Sequence, residues 1–143
     1  MADQIPVFLS LIEKELSHLH YGKNPKELYE PIDYTMSLGG KRIRPLFVLM
    51  SCDLFGGKVK DAVSPAIAIE IFHNFTLVHD DIEDGDLIRR NFPTVWKKYG
   101  MAHGINIGDG MIFKAYESLL NSEHYLPSEK VVILTKLLTD TLM

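Results

Sequence analysis

The segment IAIEIFHNFTLVHDDIED, residues 67–84, carries the strongest structural signal in the chain. Apolar side chains occur on nearly every side of a 3.6-residue period, which predicts a buried helix from about Asp61 to Asp84. One polar stripe interrupts them at intervals of three and four. Because unpaired buried polar groups are costly, we expect this stripe to line a cavity or a water-filled cleft. The stripe consists of Glu70, His73, Thr76, Asp80 and Asp84.

The rest of the chain is also predicted to be helical. Apolar residues recur at intervals of three and four, and glycines at Gly39, Gly56, Gly100 and Gly104 are predicted to interrupt the helices. Neither a two-residue hairpin turn nor sustained alternation supports strands. We therefore predict a single all-α domain over residues 1–143. Its predicted helices cover residues 3–20, 25–38, 45–55, 61–84, 110–120 and 127–143.

Composition excludes several classes of protein. Hydrophobic residues make up 46% of the chain and charged residues 24%, as in a soluble globular domain. The net charge of −4 argues against nucleic-acid binding, which normally needs a basic excess. Cys52 is the only cysteine, so an internal disulfide is impossible. No apolar run is long enough for a spanning helix or a secretory signal, and we expect a cytoplasmic protein.

Five acids lie within seven residues, beginning at Asp80. Asp80 and Asp84 are four apart and Asp81 and Asp84 three apart, so a helix places these carboxylates on neighbouring ridges. They repel one another at the unfavourable end of the helix dipole, and Mg²⁺ is a cation suited to compensate them. A solvated acidic turn is the alternative. An EF-hand loop is excluded, because Ile82 and Asn91 would occupy ligand positions.

Cations lie on both sides of the acidic segment. GGKRIRP, residues 39–45, places three of them beside two glycines where a loop becomes a helix, and Arg89 and Arg90 follow the acids. Backbone amides at such a helix start favour phosphate, and arginine adds bidentate geometry. Taken alone, GGKRIRP is better explained as an ordinary charged turn. Together with the acids, the cations predict a site for a metal and a diphosphate.

Five segments in this order resemble the N-terminal half of trans-isoprenyl diphosphate synthases, the polyprenyl synthetase family. A DDxxD motif alone is shared with class I terpene cyclases, whereas its combination with GGKRIRP and an arginine pair is specific. The resemblance covers nearly the whole chain. The segments are GGKRIRP (39–45), EIFHNFTLVHDDIED (70–84), DLIRR (86–90), PTVWKKYG (93–100) and GINIGDG (104–110).

The resemblance implies an all-α bundle around a deep cavity, usually in a homodimer. The implied reaction condenses isopentenyl diphosphate with an allylic diphosphate and releases diphosphate. Asp80, Asp81 and Asp84 would form the first aspartate-rich motif, which holds Mg²⁺ against the allylic diphosphate. Arg89 would contact the same diphosphate. The residues implied for isopentenyl diphosphate are Lys41, Arg44, His73 and Arg90.

The resemblance also implies where product length is set. The family controls it by the bulk of the residues four and five positions before the first aspartate, here Thr76 and Phe75. Phe75 lies about 7.5 Å along the helix from Asp80, where a ring could close the product tunnel. An aromatic residue followed by a small one is similar to archaeal-type geranylgeranyl diphosphate synthases, so we expect a C20 product.

The family carries a second aspartate-rich motif, and a lysine between the two motifs, which this sequence lacks. The last predicted helix also stops at Met143 without a capping signal. We therefore expect a truncated bundle that does not catalyse condensation alone. Two alternatives are a non-catalytic subunit of a heteromeric synthase, against which the intact DDxxD and arginine pair argue, and a class I terpene cyclase, which GGKRIRP makes improbable.

Overall fold

A computed structural model describes residues 4–19 and 21–141 of the chain. The all-α prediction is confirmed, because the described residues form seven α-helices and one two-stranded ribbon. The predicted helix ends at residues 3, 20, 142 and 143 lie outside the described residues. The helices are α1 (Ile5–His18), α2 (Lys26–Ser37), α3 (Ile43–Leu54), α4 (Val63–Glu83), α5 (Val95–Tyr99), α6 (Met101–Leu120) and α7 (Ser128–Thr141); 3-10 turns occupy Val59–Ala62 and Asn121–His124, and the strands are β1 (Ile88–Arg89) and β2 (Phe92–Pro93).

Contacts divide the chain into two compact units. The first combines Met1–His18, Arg42–Glu70 and Ala115–Met143. Its core includes a cluster formed by Ala68, Leu119 and Leu138, with Tyr116 packed against it. The Tyr116 hydroxyl also lies 2.9 Å from Oγ1 of Thr139, which links α6 to α7 by a polar contact beside the apolar one.

The second unit combines Leu19–Lys41 with Ile71–Lys114, and it holds most of the predicted site. Its core contains fully or almost fully buried aliphatic side chains of α2, α4 and α6. The single domain predicted over residues 1–143 stays a prediction. These core side chains are Ile32, Ile71, Val78, Ile107 and Met111.

The prediction that Gly104 interrupts the chain and that a helix starts only at Gly110 is wrong, because α6 runs unbroken from Met101 to Leu120. Its glycines lie where α6 packs closely on neighbouring residues. A Cβ at Gly104 would lie 3.0 Å from Ile82 and 3.1 Å from the Cβ of Trp96. Each glycine costs about 1 kcal/mol of helix propensity, and close packing offsets that cost.

The prediction of no strand is also wrong, although the ribbon is short. Ile88 pairs with Pro93 and Arg89 with Phe92 in antiparallel register. Arg90 and Asn91 form the two-residue connection, with φ of 52° and 67°. Positive φ at both central positions defines a type I′ turn, which normally requires glycine or asparagine. The sequence rule fails here because arginine occupies a left-handed position.

Candidate functional site

The C-terminal end of α4 is held by a glycine turn and an indole. Gly85 has φ of 72°, and the amide of Asp86 donates to the Asp81 carbonyl at 2.9 Å, which is the Schellman ending of a helix. Nε1 of Trp96 donates to the carbonyls of Asp81 and Asp86, both at 2.8 Å. The last turn of α4, which carries the acids, is therefore fixed to the segment that follows the ribbon.

The three predicted metal ligands have different surroundings. The Asp80 and Asp84 side chains are exposed, whereas Asp81 is only 3% exposed. Oδ1 of Asp81 accepts from Nε of Arg89 at 2.7 Å and lies 2.5 Å from its Nη2. Within residues 4–19 and 21–141, no three His, Cys, Asp or Glu side chains form a metal cage. The three predicted metal ligands therefore comprise two exposed carboxylates and one carboxylate in a buried ion pair.

The ion pair fixes the first predicted diphosphate ligand. The hydrogen bond to Asp81 raises the pKa of the Arg89 guanidinium, with smaller contributions from the charges of Asp86 and Asp80. Asp86 Oδ2 lies 3.9 Å from Nη2 of Arg89. Arg89 thus stays cationic, and its side chain is still 28% exposed. A permanent, partly exposed cation beside two carboxylates suits a diphosphate bound through a divalent ion.

Arg90 is anchored to two other elements of the second unit. Its Nη1 donates to the carbonyl of Gly39, and a longer contact of 3.5 Å reaches Oδ1 of Asn74. A Cβ at Gly40 would lie only 3.1 Å from the Arg90 guanidinium. The second glycine of the predicted phosphate loop therefore makes room for the arginine. This contact brings the loop and the ribbon turn together, although they lie about fifty residues apart.

Both arginines line one small cavity of about 20 Å³. Its other polar lining groups come from α2, α4 and the segment after the ribbon. The two arginine contacts are therefore parts of one packed region, and a change in either is expected to affect the other. The cavity is lined by Thr35, Leu38, Asn74, Leu77, Val78, Asp81, Arg89, Arg90, Thr94 and Val95.

The remaining predicted diphosphate ligands lie in both units. Lys41 is exposed at the end of the glycine loop, and His73 is half-buried on α4, where its carbonyl accepts from Oγ1 of Thr76 at 2.8 Å. Arg44 belongs to the first unit, where its side chain is exposed in the first turn of α3. Phe75 and Thr76, predicted to control product length, are both half-buried on α4.

One cation of GGKRIRP and one acid of the polar stripe form an ion pair with each other instead of facing a ligand. Arg42, one of the three cations of GGKRIRP, is buried: its Nε lies 2.8 Å from Oε1 of Glu13, and its Nη1 lies 2.7 Å from Oε1 of Glu70. The assignment of Arg42 to a phosphate site is therefore wrong, and so is that of Glu70 to a cleft-lining stripe. Arg42 and Glu70 lie 28 positions apart, and a local sequence pattern cannot predict an ion pair over that separation.

Sequence reasoning missed three residues that hold the site. Asn74 is 1% exposed and contacts Arg90, Trp96 caps α4, and His79 packs against α6. His79 has no role in the site predicted from sequence. The sequence feature that could have identified His79 is its position directly before Asp80. A contact that fixes His79 also fixes the backbone that carries the acids.

The model of the polyprenyl synthetase family matches residues 25–143. The chain is 48% identical over 111 residues to the geranylgeranyl diphosphate synthase of Sulfolobus acidocaldarius, covering 78% of this chain and 33% of that protein. It is 38% identical over 118 residues to the farnesyl diphosphate synthase of Micrococcus luteus, covering 81% of this chain and 40% of that protein. The chain therefore spans less than half the length of these relatives.

A crystal structure of a geranylgeranyl pyrophosphate synthetase from Pyrococcus horikoshii shares the fold. It matches with a TM-score of 0.87 at 37% identity, covering 96% of this chain and 42% of that chain. The predicted isoprenoid-synthase type of helical fold is confirmed. No helix within the described ranges has the length and apolar composition needed to cross a membrane. The cytoplasmic compartment stays a prediction.

Proposed function

The chain belongs to the polyprenyl synthetase family, and from this premise we propose that it carries the diphosphate-binding part of a prenyltransferase. The proposed reaction joins isopentenyl diphosphate to an allylic diphosphate and releases diphosphate. The observation that carries the proposal is the end of α4, where exposed Asp80 and Asp84 stand beside the Asp81–Arg89 ion pair. Such a combination of acids and a fixed cation suits a diphosphate held through a metal ion.

The donor set fits Mg²⁺, which typically takes one or two carboxylates and completes its shell with water and phosphate oxygens. Asp80 and Asp84 are exposed and one helical turn apart, so they are the residues best able to hold it. Asp81 stays a proposed ligand through Oδ2, because Arg89 occupies its Oδ1. When bound, Mg²⁺ supplies charge neutralisation for the departing diphosphate.

The chain's own cations would bind and orient the two substrates. Arg89 is proposed to contact the allylic diphosphate, whose C–O bond breaks as the allylic cation forms. We propose that isopentenyl diphosphate is held so that its double bond faces that cation; its π electrons form the new C–C bond, and one proton then leaves. The proposed isopentenyl diphosphate ligands are Lys41, Arg44, His73 and Arg90.

We propose a C20 product, with Phe75 and Thr76 setting its length. The similarity to the synthase of Sulfolobus acidocaldarius supports this length. A farnesyl diphosphate synthase matches at the lower identity of 38%. The Phe75 ring on α4 is the group whose removal tests the assignment.

Ligand binding is the property to test first on this chain. The resemblance implies that turnover also needs a second aspartate-rich motif, which this sequence lacks. Trp96 is the only tryptophan, and its indole touches the carbonyl of Asp81. Its fluorescence is therefore expected to respond when inorganic diphosphate and Mg²⁺ bind at the acids. Asp80→Asn should abolish the Mg²⁺-dependent response, whereas Asp140→Asn, an exposed acid of α7, should preserve it. An equal response in both variants contradicts the proposed site.

Turnover is tested with isopentenyl and farnesyl diphosphates plus Mg²⁺, with the products identified by mass spectrometry. Elongation supports a prenyl synthase, and a cyclised hydrocarbon supports a terpene cyclase instead.

We also propose that the protein forms a homodimer, as the resemblance implies. Light scattering distinguishes a dimer from the 16.3 kDa monomer, and a monomer at every concentration would contradict it.

A further inference from the structure

Three rings form a column along α4 toward the acidic segment. The Phe72 and Phe75 centroids are 4.9 Å apart, and those of Phe75 and His79 are 5.0 Å apart. The planes meet at 77° and 78°, so each contact is edge to face, a favoured geometry for aromatic pairs. The Phe75 ring is therefore held from both sides, by one phenyl ring and by one imidazole.

The imidazole is itself anchored to α6. Nε2 of His79 lies 3.2 Å from the carbonyl oxygen of Ile105 and 3.8 Å from Oδ1 of Asp109. A carbonyl only accepts, so this contact requires a proton on Nε2. The imidazole thus contacts Phe75 with its ring and α6 with its N–H.

Gly108 provides the space for this link. A Cβ at Gly108 would overlap the imidazole of His79, contacting Nε2, Cδ2 and Cε1. Gly110 on the same helix differs: a Cβ there would lie 3.0 Å from Cδ1 of Leu28, the far end of a flexible side chain. Alanine at the two glycines is therefore a matched pair of substitutions. The first displaces a ring, and the second displaces only a methyl group.

We propose that His79, seated on Gly108, is a positioning residue for product chain length. It holds the Phe75 ring where that ring closes the tunnel for the growing prenyl chain. The inference rests on the proposed function, because Phe75 has this role only in a prenyl synthase. It adds a residue on α4 and a residue on α6 to the determinants of length, although neither lies at the predicted length-setting positions.

The positioning is tested without any substrate, by NMR of the 143-residue chain with ¹³C-labelled phenylalanine. His79→Ala should accelerate 180° flips of the Phe75 ring about tenfold, the change expected from losing one aromatic contact. His79→Phe keeps a ring and should leave the flip rate near that of the wild type. Gly108→Ala should act like His79→Ala, whereas Gly110→Ala should not. Unchanged flips in His79→Ala, or equal effects of the two glycine variants, overturn the inference.

Product length tests the consequence in the same variants. With allylic and isopentenyl diphosphates, His79→Ala and Gly108→Ala should add a product fraction one isoprene unit longer, and His79→Phe and Gly110→Ala should not. A loss of total activity without longer product indicates a merely structural role and overturns the inference. Because the resemblance implies a second aspartate-rich motif for turnover, absence of product in the wild type does not count against the proposed function, and the flip rates then decide whether His79 positions Phe75.

Discussion

Replacing Glu70 by leucine should strongly destabilise the first unit. Leucine is similar in volume to glutamate and removes the buried carboxylate that contacts Arg42 at 2.7 Å. Both side chains of this pair are only 3% exposed. The guanidinium would keep its contact with Glu13, whose side chain is 53% exposed. The variant therefore leaves a buried cation beside a carboxylate that water screens.

The expected cost follows from this difference in burial. Removing one partner of a buried ion pair typically costs about 3–5 kcal/mol, whereas an exposed ion pair contributes at most about 1 kcal/mol. Glu70→Leu should therefore cost about 3–5 kcal/mol, and Glu13→Leu less than about 1 kcal/mol. The double variant Arg42→Met/Glu70→Leu should recover most of the loss, because two apolar side chains of similar size replace both buried charges and leave only the exposed Glu13 without its partner.

Urea unfolding followed by circular dichroism measures these effects. With a slope of about 2 kcal/mol per molar urea, Glu70→Leu should lower the midpoint by about 1.5–2.5 M. Burial lowers the pKa of Arg42, but the hydrogen bonds with Glu13 and Glu70 outweigh it and the net pKa is raised. The stabilisation is thus present below the pKa of unfolded arginine and lost only above it, so the midpoint difference should be constant from pH 6 to about 9. Equal losses in Glu70→Leu and Glu13→Leu, or no recovery in the double variant, would refute the reasoning.

Three further predictions follow from the site and its surroundings. Burial raises the pKa of the Cys52 thiol, so the pH profile of its alkylation by iodoacetamide should lie higher in the folded chain than in urea; coincident profiles would contradict this. Asp81→Asn should lower the free energy of unfolding by about 1–3 kcal/mol because Arg89 loses its charged partner, and thermal unfolding of Asp140→Asn, an exposed control, should match the wild type. Phe75→Ala should lengthen the prenyl product seen by thin-layer chromatography, and unchanged length would remove Phe75 from the proposed tunnel.

Local patterns predicted the helices well where the buried residues repeat with the period of a helix. The long helix that ends in the acids was expected to end near Asp84 and is observed over Val63–Glu83. The same reasoning failed at α6, where glycine was interpreted as a break. Glycine has poor helix propensity in isolation, but at Gly104 and Gly108 its lack of a side chain allows close packing. That packing involves residues distant in sequence, which a local pattern does not contain.

In the predicted site, too, some features follow from local sequence and others only from contacts between distant residues. The sequence indicated that acids at the end of α4 and cations on either side belong to one site. The structure joins Asp81 to Arg89 and Gly39 to Arg90. It also removes Arg42 from the candidate phosphate ligands by pairing it with Glu70. Composition and spacing cannot distinguish a cation that faces a ligand from one that neutralises a buried carboxylate.

The sequence by itself determined the fold class, the family and the order of acidic and basic segments, because helical periodicity and short motifs are local properties of the chain. Only the tertiary structure decided which charges pair, which glycines admit a neighbouring helix, and which ring supports Phe75. These choices depend on distances between residues far apart in the chain, where burial and a few ångströms decide whether a charge or an aromatic ring has a partner.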